Sequence, residues 1–177
     1  MPKVNYTNTK GLYQEAGSGI NLSKGETAYL RETVNVTSAG TTNLLASQSG
    51  ANVVFSGPGN PAGIVNLPVG STCSVGTIFY FEVGMDNTTG WQVKSTVSGE
   101  NILGKFPVYG SADNKAAPSD AAPGTTLVLT LTSGAAAKSG GEGSRFSIMW
   151  NGTDWLVWGK LTTNGANPSS IDVFSDS

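Results

Sequence analysis

The stretch Ser144–Leu161, SRFSIMWNGTDWLVWGKL, decides the fold. Apolar residues recur at every second position, Phe146, Ile148 and Trp150 on the way out and Trp155, Val157 and Leu161 on the return. That is the period of strands with one buried face. Asn151-Gly152 stands between the runs, and both residues tolerate positive φ, so the spacing predicts a hairpin with strands over 144–150 and 153–161. Leu156 and Trp158 fall on the opposite face of the returning strand, an apolar surplus beyond what one core needs.

The same grammar extends outward. Thr125 to Thr132 (TTLVLTLT) sets Leu127, Leu129 and Leu131 on one face. Gly76 to Val83 (GTIFYFEV) sets Phe79, Phe81 and Val83 on one face and Ile78, Tyr80 and Glu82 on the other. After the turn cluster Asp86–Gly90, Trp91, Val93 and Val97 face in, so 76–83 and 91–97 predict a second hairpin. Shorter strands are expected over 31–37, 52–55 and 64–67, with loops at 57–61, 110–124 and 138–143 where Gly and Pro gather. Helical periodicity is always interrupted by Gly or Pro, and the lack of an internal repeat argues against a propeller or solenoid. The expectation is an all-β fold, an antiparallel β-sandwich of jelly-roll-like form, as a single domain over 31–161. An extended N-terminal arm precedes it over 1–30, and a C-terminal tail follows over 162–177. The arm shows neither strand nor helix period and is read as building no sheet of its own. Its Tyr6, Leu12 and Tyr13 are costly to leave in water, and an arm laid on another surface would bury them.

Composition narrows the chemistry. The 177 residues include no His, a single Cys, 24 Gly, 20 Ser, 19 Thr and 14 Asn. Ser-His-Asp and Cys-His nucleophiles and His-containing zinc sites are therefore excluded. Cys73 can form no intramolecular disulfide and reads as a small buried hydrophobe. Asp113 and Asp120 fall in the 110–124 loop, and Asp86 and Asp154 in turns, so they read as solvated turn residues, not a rigid acid/base pair. Asp86, Asn87, Asp113, Asn114 and Asp120 match no calcium loop, and Gly-Ser-Gly at 17–19 and Gly-Gly-Glu-Gly at 140–143 match no phosphate loop. No catalytic residue, metal or cofactor is expected. A net charge of −2, with ten dispersed Lys and Arg, disfavours nucleic acid as a partner. No apolar run approaches the ~20 residues that span a bilayer, so no membrane partner is expected. The polar N-terminus lacks the apolar centre of a signal peptide, and synthesis in the cytoplasm is the expectation. Trp91, Trp150 and Trp155 alternate with the core. Trp158, with Leu156, is read as a subunit contact in preference to a sugar-stacking residue.

These residues carry a resemblance. The series Leu44-Leu45-Ala46-Ser47-Gln48-Ser49-Gly50, Val53-Val54-Phe55, Ile64-Val65-Asn66-Leu67-Pro68 and Phe79-Tyr80-Phe81, closed by Leu127–Leu131 and Ser144–Gly159, resembles a β module of tailed-bacteriophage virion proteins over about residues 33–161. Stand-alone copies of this size look like head decoration (cement) proteins. The resemblance implies a non-enzymatic structural protein on the capsid exterior of the virion, made in the host cytoplasm. It further implies a homotrimer whose arm lies on the major capsid protein, with Tyr6, Leu12 and Tyr13 as the arm's anchors. The alternative is a phage tail-fibre or receptor-binding domain recognising a host surface glycan. The long 110–124 loop departs from the pattern.

Overall fold

The computed structural model of the chain describes residues 4–7, 11–14, 31–37, 39–57, 63–86, 90–110, 116–120, 126–131, 140–163 and 173–175. The chain divides into two compact units, Met1–Arg31 and Glu32–Ser177. In the first, β1 (Val4–Thr7) and β2 (Gly11–Gln14) pair antiparallel, with Tyr6 opposite Leu12 and Asn5 opposite Tyr13. This corrects the expectation that residues 1–30 build no sheet of their own. Strands of four residues are too short for a period to emerge from the sequence.

The second unit is all-β and holds two sheets. One has seven strands: β3 (Thr33–Val36), β5 (Asn52–Phe55), β7 (Ile78–Val83), β9 (Ile102–Gly110), β10 (Ala116–Asp120), β12 (Arg145–Trp150) and β13 (Trp155–Thr163), in the order β10-β9-β13-β12-β7-β5-β3. The other has five: β4 (Gly40–Asn43), β6 (Gly63–Asn66), β8 (Trp91–Lys94), β11 (Val128–Leu131) and β14 (Phe174–Ser175), in the order β14-β11-β8-β6-β4.

From β3 to β8 successive strands alternate between the sheets, so in-sheet neighbours run parallel: β3 with β5, β5 with β7, β4 with β6 and β6 with β8. With β9 parallel to β13, both sheets are mixed, which corrects the antiparallel expectation. The predicted 76–83/91–97 hairpin is corrected too. β7 pairs antiparallel with β12, while β8 lies in the other sheet between β6 and β11. Phe79, Phe81, Val83, Trp91 and Val93 are all buried as read. Alternation reports which face is buried and is blind to which sheet owns the strand. β8 ends at Lys94, and Val97 is half-buried beyond it.

The Ser144–Leu161 hairpin forms, but Trp150 pairs with Trp155 across the four residues Asn151–Asp154. Asn151 Oδ1 accepts the backbone N–H groups of Thr153 and Asp154, both at 2.8 Å. This side-chain-closed turn displaces the expected two-residue one. The register moves by two residues, so every inward residue stays inward.

A chain of stacked and edge-on rings runs through the core. Phe174 meets Phe106 (5.7 Å between centroids), Phe106 meets Phe146 (5.7 Å), Phe146 meets Phe81 (4.8 Å), Phe81 meets Phe55 (6.1 Å) and Phe55 meets Trp91 (5.2 Å). Both ends of this chain belong to the five-stranded sheet and its middle to the seven-stranded one, so the rings tie the layers together twice. Such pairs contribute about 0.5–1.5 kcal/mol each beyond area burial.

Two stretches read as irregular each contain a strand among the described residues. The 110–124 stretch contains β10, an edge strand whose Pro118 stands opposite Pro107 of β9. A proline there costs β10 no ladder bond on its open side. The 162–177 tail returns Val173 and Phe174 to the core, 2% and 6% exposed. A further tie links loops: both carboxylate oxygens of Glu100 accept the Gly70 N–H at 3.0 Å, and Gly70 is packed under the Trp150 ring. Glu100→Ala is expected to cost about 1–3 kcal/mol in chemical denaturation, because it leaves that buried N–H unpaired. Glu100→Gln, which keeps an acceptor, should cost under about half of that.

Candidate functional site

Side chains on the outer face of the seven-stranded sheet line up in rows across the strands, because cross-strand partners share a face. Ser147 of β12 stands opposite Trp158 of β13 on one side and Tyr80 of β7 on the other. Asn52 of β5 continues that row beyond Tyr80. The next row holds Lys160, Arg145 and Glu82, with Arg145 donating to Glu82 at 2.7 Å. On the other side lies an apolar row of Leu103, Leu156, Met149 and Ile78, all half-buried.

Ser147 is the smallest side chain in its row, and a groove of about 220 Å³ opens there. Trp158, Ser147, Tyr80 and Asn52 line it, with Arg145 and Glu82 at one end. Trp158 is 44% exposed, whereas Trp91, Trp150 and Trp155 are 1%, 5% and 0% exposed. Trp158 is thus the one tryptophan of the chain presented to solvent. Leu156 belongs to the neighbouring apolar row and does not line the groove.

Trp158 was legible from the sequence as an outward aromatic. Tyr80 and Glu82 were legible as outward residues, but their meeting with Trp158 depends on the order β7-β12-β13. Parity along one strand does not contain that order. Tyr6, Leu12 and Tyr13 belong to the other unit, and their side chains lie outside the described residues. So do Asn87, Asp113 and Asn114.

Several described carboxylates hold backbone or neighbouring side chains in place. Asp154 Oδ1 accepts from the backbone and side-chain nitrogens of Asn101, both at 3.2 Å. Asp86 accepts the Glu142 N–H at 2.7 Å, and Glu32 accepts from Gln48 Nε2 at 2.7 Å. Among the described residues no three His, Cys, Asp or Glu side chains gather as a metal site. Cys73 packs against the core, and burial pushes its thiol above the ordinary value, although contacts with Thr72 and Thr77 act the other way. The thiolate that nucleophilic chemistry needs is thereby disfavoured.

Leu45, Val69 and Val75 are further exposed apolar side chains, at 59%, 40% and 73%. Leu45 and Val69 share a groove with Asn43, Asn66 and Pro68. In comparisons with protein-family models, with curated proteins and with solved structures, nothing matches the chain.

Proposed function

We propose that the chain is a non-enzymatic structural protein of a tailed-phage virion that binds the outside of the capsid and stabilises it, in the manner of a decoration protein. The observation that carries this reading is the division after Arg31. A small N-terminal unit with its own hairpin precedes a two-sheet body, and that body spans the 33–161 stretch whose motifs resemble the virion module. The N-terminal unit is the shell-binding arm in this reading, engaging the major capsid protein through Tyr6, Leu12 and Tyr13.

A Gly-, Ser- and Thr-rich body with ring-tied sheets suits a passive clamp. Glu100, Asp154 and Asp86 spend hydrogen bonds on loop geometry, as suits a structural protein. A homotrimer would present three arms at once. Three weak arm contacts then act together through effective concentration, with avidity gains of order 10²–10⁴ over one arm.

Deletion of residues 1–25 is the test. Co-sedimentation with expanded capsids should fall by at least about two orders of magnitude in apparent affinity, while the body keeps its thermal midpoint. Native affinity in the deleted protein would sink the arm assignment. Light scattering should return about three times the 18.1 kDa chain mass, and a monomer at micromolar concentration would sink the trimer.

A further inference from the structure

We propose that the groove walled by Trp158 and Tyr80 is a saccharide-binding site that takes one pyranose ring of a neutral oligosaccharide. The two aromatics stand on β13 and β7, one strand to either side of Ser147 on β12. Two strand spacings put their attachment points about 9–10 Å apart. A flat aromatic ring sandwiched between walls at contacts of about 3.5–4.0 Å each needs them only about 7–8 Å apart. A puckered saturated ring, with hydrogens projecting from both faces, needs about one to two ångströms more, and attachment points two strands apart leave room for it when both side chains stand upright on the sheet. Its C–H bonds would meet the electron-rich faces of the indole and phenol rings.

The rim suits hydroxyl groups. Arg145 and Glu82 lie 2.7 Å apart at one end, and Asn52 lines the groove beyond Tyr80. Guanidinium, carboxylate and amide together offer planar donors and acceptors side by side. Glu82 balances the Arg145 charge within the lining, and Lys160, across from Arg145 in the same row, lies outside it, so the lining suits a neutral polyol better than a phosphate or a carboxylate. At about 220 Å³ the groove is smaller than a drug-sized pocket and suits a single ring. Its walls stand on central strands of the sheet, so the geometry is set before a ligand arrives.

The site is independent of shell attachment. The residue 1–25 deletion can fail without touching the groove, and the groove can fail while the deletion result stands.

Trp158 also supplies the readout, since the other three tryptophans are buried. The full-length protein would be titrated with maltotriose, cellotriose, mannotriose and chitotriose, with adenosine as the planar-ring comparison. Tryptophan emission, acrylamide quenching and ligand-observed NMR would be followed together. The expected result is saturable, millimolar binding of at least one trisaccharide, with a blue shift and protection from acrylamide. Trp158→Ala should abolish the emission change and weaken binding about tenfold or more, while Trp158→Phe retains part of it. Ser147→Tyr should block the slot with both walls intact. If that variant does not fold, the Trp158 pair decides. The proposal is overturned if no trisaccharide in the panel binds, if binding survives Trp158→Ala, or if a folded Ser147→Tyr binds normally. It is also overturned if adenosine binds at least as tightly, or if Trp158 of the free protein is already shielded from acrylamide by a second copy.

Discussion

Gly159→Ala is expected to destabilise the protein by about 3–5 kcal/mol, among the largest effects open to a single methyl group. Gly159 occupies an inward position of β13, between Val157 and Leu161, and faces Phe146 across the ladder. The offset of β9 against β13 is the same at Trp155↔Ile102 and at Leu161↔Val108. Phe106 therefore stands level with Gly159 on its other side. The rings of Phe106 and Phe146 meet edge-on at 5.7 Å over this one residue without a side chain. A Cβ there would run into the Arg145 carbonyl oxygen and the Cα and Cβ of Phe146. The backbone adds a second obstacle, with φ at +151°.

Gly143→Ala separates the two effects. Gly143 has φ +86° and open space where a Cβ would go, so strain alone should cost about 1–2 kcal/mol. Thermal unfolding should place Gly159→Ala about 6–20 °C below the parent protein, and Gly143→Ala only a few degrees below. Equal shifts for the two would mean that the ring contact does not depend on Gly159.

The same residue shows what a sequence conveys about such a fold. Alternation along 155–161 predicted an inward position at 159, and finding glycine there reads as a gap. The gap is the space in which rings from the flanking strands meet. Which strands flank β13 is decided by long-range pairing, and no local period encodes that. The buried faces of β7, β8, β12 and β13 were legible for this reason, while their distribution between sheets was not. In β11 the reading held for Leu129 and Leu131, but Leu127 is only half-buried and Val128 is buried out of phase. A strand that crosses to the facing sheet and a strand that folds back beside its predecessor bury the same side chains. The groove obeys the same logic. Trp158 announced itself by parity against Trp155, whereas Tyr80, Ser147 and Asn52 became its neighbours only through the order of four strands. The shift from a two-residue to a four-residue turn at Asn151–Asp154 was invisible because a shift of two leaves every face unchanged.

Removing residues 173–177 is expected to cost about 4–6 kcal/mol, although the segment begins after a polar stretch and reads as a tail. Val173 and Phe174 are buried, and burying side chains of this kind contributes about 1.5–3 kcal/mol each. Phe174 also stacks on Phe106 at 5.7 Å and 10°, for about another 0.5–1.5 kcal/mol. The Val173 carbonyl accepts the Thr130 N–H at 2.7 Å, and Leu129 pairs with Phe174. Truncation would expose one edge of β11 and open one of the two places where the chain of rings joins the sheets. Against a typical domain stability of about 5–15 kcal/mol, such a loss brings the body near its folding threshold. Guanidinium denaturation of the truncated chain should show a midpoint lowered by about 1–2 M at an m-value of about 3–4 kcal/mol/M. Deleting only Asp176 and Ser177 should leave the midpoint in place, since it keeps both buried side chains. Phe174→Leu should fall between them, because it keeps most of the apolar volume and loses the stack. A truncated chain with the parent midpoint would show that β14 adds nothing to the core and that Phe106 packs as well without Phe174.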